Sequence, residues 1–224
     1  MRPTRSNLLW QLAVLNVIVH VAGLAFMASG IRQGSALVAL AERMAYVAGR
    51  PWGWTFGWGT WMLCALALIA FLAAVANMLR YSSQFDRVRM AVTLSIAGGA
   101  IDLLCDVTYI TVMPLVAAGG RSAERLYLAV ERLAGAGGLI VANGFYTVAI
   151  LLVTLALRSA SPQARGAVVL GLGVFGFGAL MVVAGFSGSP WFAAVVSVPT
   201  MILYCLWVVA VARALAVEPQ GGRS

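Results

Sequence analysis

The sequence predicts an all-α polytopic membrane protein, a bundle of six transmembrane helices with short interfacial helices in its two longer outer loops. Three observations lead there. Of the 224 residues, 62% are hydrophobic and only 10% charged, and a mean hydropathy of +0.95 lies far outside the composition of a soluble domain. A helix of roughly 20 apolar residues crosses a bilayer core. Six such windows fit without overlap, near 8–30, 57–79, 90–117, 136–157, 166–186 and 191–213. Arginines gather at the window ends, where they set topology. Residues 1–224 are read as one transmembrane domain.

The first window follows Arg2 and Arg5 and ends in AFMASG, a pattern shared with cleavable signals. Its apolar run of about 23 residues is long enough to span, so it is assigned as the first membrane helix. Trp52, Trp54, Trp58 and Trp61 crowd the start of the second window and Trp191 begins the sixth, as expected of an aromatic belt at the outer interface. With nothing polar at its centre, the second span is expected to face lipid or to be purely structural. The third window, RMAVTLSIAGGAIDLLCDVTYITVMPLVAAGG, holds two aspartates, and its Pro114 allows a kink. The fourth holds Asn143 and Tyr146 near its centre. The fifth carries Gly171, Gly173, Gly176, Gly178 and Gly185, which read as small residues for close helix approach. Its G-x-G-x-x-G string lacks a preceding strand and has no nucleotide-binding value. Gly98, Gly99, Gly135, Gly137 and Gly138 read as packing residues too. The sixth window contributes Pro199, Thr200 and Tyr204.

Each outer loop carries a short helical segment with an adjacent Glu-Arg pair: ALVALAERMAYVAG with Glu42 and Arg43, and ERLYLAVERLAG with Glu131 and Arg132. In the second, Arg121, Glu124, Arg125, Glu131 and Arg132 form one polar stripe, as in a helix lying in the interface plane. The shared format is that of a hairpin repeat, spans one and two matching three and four. Transporters often place a site between such repeats.

The net charge of +8 comes from arginine alone, fifteen residues with no lysine. Without a lysine amine, a retinal or pyridoxal Schiff base is excluded, and no other cofactor is predicted. Because the arginines sit at span ends, no nucleic-acid role is read from them. The side holding both termini has nine arginines, Arg2, Arg5, Arg80, Arg87, Arg89, Arg158, Arg165, Arg213 and Arg223, against six on the other. Both termini are therefore expected in the cytoplasm, in a plasma (bacterial inner) membrane. Cys64, Cys105 and Cys205 all fall within spans and read as buried free thiols rather than a disulfide or metal framework.

Asp102 and Asp106 are the principal functional signal. Counted at about 1.5 Å per residue from Arg89, Asp102 lies about 20 Å into its helix, close to the bilayer centre, with Asp106 one turn further. Charged groups at that depth cost several kcal/mol and normally serve a pathway, a site or a partner. The i, i+4 relation puts both carboxylates on one helix face, continued by Tyr109. Carboxylates that close cannot both ionise cheaply, so the pair should share a proton, as a proton or cation relay requires. His20 and Asn16, Asn143 and Tyr146 fall at similar depth. The expected site is Asp102, Asp106, His20, Tyr109, Asn143 and Tyr146.

The string Arg89-x8-Gly98-x3-Asp102-x3-Asp106 resembles the second half of the CDP-alcohol phosphotransferase motif, over about eighteen residues. Members of that family are also six-span proteins of about this length. The resemblance implies a lipid-modifying enzyme whose aspartates bind a divalent metal, one of them acting as base toward the alcohol. The chain departs from it in the first half, where the family needs D-x-x-D-G-x-x-A-R and this sequence has Tyr81-Ser82-Ser83-Gln84-Phe85-Asp86-Arg87-Val88-Arg89.

Three functions are therefore carried forward. The first is a binding or transport protein, not an enzyme, that couples a small solute or ion to protons or a cation at Asp102 and Asp106. The second is a noncatalytic subunit of a larger membrane complex, its aspartates satisfied by a partner. The third is the metal-dependent enzyme. The partners expected are the lipid bilayer and either companion subunits or further copies of the chain.

Overall fold

A computed structural model describes residues 5–160 and 162–216, so Arg2 and Arg223 of the topology count lie outside the described residues. The described chain is helices joined by short turns, with no strand: α1 (Arg5–Phe26), α2 (Leu40–Ala48), α3 (Trp52–Met78), α4 (Phe85–Val107), α5 (Met113–Ala117), α6 (Glu124–Ala136), α7 (Asn143–Ala160), α8 (Arg165–Ser187) and α9 (Pro190–Ala216). Three π-helical segments continue or join them. Met27–Ile31 extends α1, Thr108–Val112 links α4 to α5, and Gly137–Ala142 links α6 to α7.

Six uninterrupted helices are long and apolar enough to cross a membrane: Ser6–Ile31, Trp52–Met78, Phe85–Ala117, Gly120–Ala160, Arg165–Ser187 and Pro190–Ala216. Every window expected from the sequence lies in one of them, apart from one residue at the end of the second. Most are longer than expected, because turns rich in arginine, serine or glycine stay helical beyond the apolar core. The two outer-loop helices are present as α2 and α6. The second does not stand apart, since it runs through a π segment straight into α7.

Local chemistry explains the breaks. Pro51 is held extended (φ −64°, ψ 146°) immediately before α3, the geometry that proline's ring favours ahead of a helix. Gly188 takes a left-handed conformation (φ 65°), its N–H bonding back to the Gly185 carbonyl and stopping α8. Proline at the first position of α9 then restarts the chain. In the third span, Pro114 has no N–H and would press on the carbonyl four residues earlier. The π segment Thr108–Val112 directly precedes it, and the wider turn accommodates the ring without ending the helix.

The spans form a closed ring. Each packs on the next in chain order, α1 on α3, α3 on α4, α4 on α7, α7 on α8 and α8 on α9, and α9 returns to α1. Apolar side chains such as Ile18, Leu63, Leu104, Val169 and Val195 stay exposed on the outside. Hydrocarbon solvates them as well as another helix would, so close approach depends on small residues. At Gly98 an added Cβ would come within 3.0 Å of the Ala142 carbonyl and 3.1 Å of Phe145 Cβ. Gly178 is seated directly against the Thr147 side chain, whereas Gly176 has open space beside it.

Two apolar clusters fill the ring at different levels. The larger, around Phe71, Leu72, Val153, Leu157, Trp207 and Val211, occupies the half nearer the termini. The smaller joins Met44, Val47, Trp54, Met113 and Tyr127 at the opposite end, beneath α2 and α6. There Arg43 Nη2 meets Glu131 Oε2 at 2.7 Å, and Arg43 Nη1 donates to the Val38 carbonyl at 2.9 Å. The ion pair clasps the two outer-loop helices together. Arg43 of the first Glu-Arg pair thus meets Glu131 of the second, across the loops.

The tryptophan belt is only partly what the sequence led us to expect. Trp52 and Trp191 are exposed, but Trp54 is 1% exposed and Trp58 and Trp61 pack against the interior cluster. Positions 54, 58 and 61 follow helical spacing and share one face of α3, which turns inward. Trp52 falls off that face.

Candidate functional site

Between the two apolar clusters lies a cavity of about 260 Å³, with side chains from all six spans in its wall. His20, Asp102, Asp106, Tyr109, Asn143 and Tyr146, the six residues expected from the sequence, all line it.

α4 carries the acids. Asp106 is 2% exposed, and its Oδ2 finds no hydrogen-bond partner among the described residues. Asp102, half-buried, accepts a hydrogen bond at Oδ2 from the Tyr146 hydroxyl of α7 at 3.2 Å. That contact is possible because Gly98 and Gly99 let α7 lie close on α4. A Cβ at Gly98 would stand 3.1 Å from the Tyr146 ring, and one at Gly99 would stand 3.5 Å from its hydroxyl.

α1 presents His20, which is 5% exposed. Its Nδ1 lies 2.8 Å from the Asn16 carbonyl. A carbonyl can only accept, so Nδ1 carries the proton and the neutral ring keeps Nε2 as an acceptor. Asn16 below it anchors three helices: its Nδ2 donates to the Ala67 carbonyl of α3 at 2.9 Å, and its Oδ1 accepts from the Tyr204 hydroxyl of α9 at 2.6 Å. The Tyr204 ring lies 4.6 Å from the His20 ring, fixing the imidazole from the side.

At the loop end, Tyr109 sits in the π segment with its ring stacked on Trp58, centroids 4.0 Å apart and planes 7° from parallel. Its carbonyl accepts a hydrogen bond from Trp54 Nε1 at 2.8 Å. The irregular turn is thus held by α3. Asn143, on the wall, donates through Nδ2 to the Gly178 carbonyl at 3.0 Å, so it also fastens α7 to α8.

Sequence reading missed the contribution of α3. Expected to face lipid or to be structural only, it lines the cavity with Trp58, Trp61 and Cys64. The indole N–H groups of Trp58 and Trp61 are buried without partners among the described residues. The signal was available in the four-and-three spacing of Trp54, Trp58 and Trp61. Thr200 and Tyr204, noted in the sequence but left out of the site, also line the wall.

The donor set does not fit a divalent metal. No group of three or more histidine, cysteine, aspartate or glutamate side chains is placed to hold an ion among the described residues. Asp86, the acid nearest in sequence, is exposed at the start of α4 and pairs with Arg89 at 3.3 Å. Two carboxylates with no third such ligand beside them leave most of a divalent ion's coordination shell unfilled by the protein. No known protein-family model matches the chain, and no curated protein or solved structure is significantly similar to it. Architecture and site chemistry therefore carry the functional argument. They describe a multi-pass membrane protein with a closed helix ring around an acidic, mostly apolar cavity.

Proposed function

We propose that this protein binds a small solute in the intramembrane cavity and moves it across the bilayer in exchange with protons. The observation that carries the reading is the Asp106 carboxylate, buried with an unpartnered oxygen in the wall of a cavity to which every span contributes. A carboxylate kept there without a hydrogen-bond partner lowers stability. Groups held at such cost mark pathways and sites.

In this reading Asp102 and Asp106 are the proton-exchanging pair. Tyr146 holds one proton-acceptor site by donating to Asp102, and His20 offers a fixed acceptor across the cavity. Tyr109 and Asn143 shape the wall. Solute arrival and proton departure at the same two carboxylates couple the two fluxes. The nine-to-six arginine bias supports an orientation with both termini in the cytoplasm, in a bacterial inner membrane.

The test is solute-evoked proton movement in proteoliposomes loaded with a pH-sensitive dye, using pools of amines, amino acids and sugars. A pool is expected to evoke proton flux in the wild type, and Asp102→Asn and Asp106→Asn are each expected to abolish it while unfolding like the wild type. A flux unchanged in both variants, or none from any pool, overturns the proposal. A fluorescent reporter that matures only in the cytoplasm, fused at the C terminus, should light up; darkness of an inserted fusion overturns the orientation.

A further inference from the structure

Resting on that reading, we infer that the solute is a monovalent organic cation, a substituted ammonium ion bearing apolar groups. Charge gives the first reason. Two carboxylates line the cavity and none of the described arginine side chains does. His20 adds an acceptor, since its protonated Nδ1 is turned to the Asn16 carbonyl. An anion would meet no described cationic side chain, only the indole N–H donors of Trp58 and Trp61 beside two carboxylates.

The wall material gives the second reason. Trp58, Trp61, Tyr109, Tyr146 and Tyr204 line the same space as the acids. Aromatic faces attract cations, and walls of this kind beside a carboxylate recognise alkylated ammonium ions. Inorganic cations instead require a shell of oxygens, about six for the commoner ones. Here the wall is mostly apolar and aromatic, with two carboxylates rather than a ring of oxygens. Size agrees as well. At about 30 Å³ per water, 260 Å³ is the room of eight or nine waters, enough for an ammonium with several alkyl groups or one aryl group.

Protons should compete with such a ligand at the acids. The titratable groups around Asp106 are Asp102 and Cys105 on its own helix, with Tyr109 beyond, and His20, Cys64, Tyr146 and Tyr204 from α1, α3, α7 and α9. None of these is a permanent cation that would hold both carboxylates charged as pH falls.

The experiment uses the full chain in nanodiscs and follows tryptophan fluorescence, with empty nanodiscs subtracted. Probes are benzyltrimethylammonium, its uncharged isostere neopentylbenzene, and benzenesulfonate. The cation is expected to bind saturably, at least about tenfold more tightly than either other probe, with affinity falling as pH is lowered. Asp106→Asn should weaken it about tenfold or more and reduce the pH dependence to what Asp102 alone gives. Trp58→Phe should retain binding that Trp58→Leu loses, and Trp10→Phe, on the exposed outer surface, should change nothing. Absence of cation binding, equal binding of neopentylbenzene or benzenesulfonate, or undiminished binding by Asp106→Asn overturns the inference. Its failure with solute-evoked, aspartate-dependent proton flux intact would leave the transport reading standing; loss of that flux would remove both.

Discussion

Replacing Asp106 with leucine is expected to stabilise the protein while abolishing the proposed proton flux. The side chain is 2% exposed and its Oδ2 has no partner among the described residues. An acceptor buried in that state costs about 1–3 kcal/mol, and the cost disappears when an apolar group of similar shape takes its place. Leucine is slightly larger than aspartate. In a filled core the excess would cost about 1–3 kcal/mol in strain, but Asp106 borders a cavity of about 260 Å³ that can accept it. The net expectation is a gain of about 1–3 kcal/mol. In a chain of this size each kcal/mol raises Tm by about 2–4 °C. Asp106→Asn keeps the shape but retains polar atoms in need of partners, so it should gain little. Thermal unfolding in mild detergent, followed by tryptophan fluorescence at acidic and alkaline pH, reads all three proteins. If Asp106→Leu is destabilised by more than about 1 kcal/mol at both pH values, the carboxylate holds the ring together and its role is structural.

The Arg43–Glu131 clasp is expected to be a coupled unit. Glu131→Gln leaves a guanidinium at 10% side-chain exposure without its counter-charge, which should cost about 3 kcal/mol. Adding Arg43→Met should recover part of that, with a coupling energy of about 1–3 kcal/mol in a double-mutant cycle of unfolding; additive effects refute it. Trp54→Phe strips the Tyr109 carbonyl of its 2.8 Å donor and should lower stability by about 1–3 kcal/mol in the same assay. Trp52→Phe, on an exposed residue, should stay within about 0.5 kcal/mol, and equal losses would refute the inward assignment of Trp54. Gly178→Ala, whose Cβ meets Thr147, should destabilise by about 1–3 kcal/mol. Gly176→Ala, with open space beside it, should be neutral or stabilising; a reversed order would count against the close α7–α8 contact.

Much of the fold was legible because hydrocarbon imposes a simple rule: backbone polar groups must bond within the segment, so an apolar run of sufficient length becomes a spanning helix. That rule located all six spans without any homologue. It misjudged their ends, because arginine and glycine turns that leave the hydrocarbon remain helical, as at 120–136. Asp102, Asp106, His20 and Tyr146 were legible because polar groups at mid-depth are costly enough to be few. α3 was misread by the same logic. Tryptophan fits an interface belt and an aromatic cavity wall equally well by composition, and only the helical spacing of Trp54, Trp58 and Trp61 told them apart.

The sequence by itself determined the six spanning helices and the position of the acids along the third, since each depends on local composition along one segment. Tertiary structure alone decided that α9 returns to α1 and closes the ring. It also decided that Arg43 reaches Glu131 in the other outer loop, and that Asp102 gains a hydroxyl while Asp106 keeps an unpartnered oxygen. The physical reason is that lipid matches the outer surface of every apolar helix about equally well. Which faces meet is then set by small residues such as Gly98 and Gly178 and by long-range hydrogen bonds such as those of Asn16. Those pairings leave no periodic trace in any one segment.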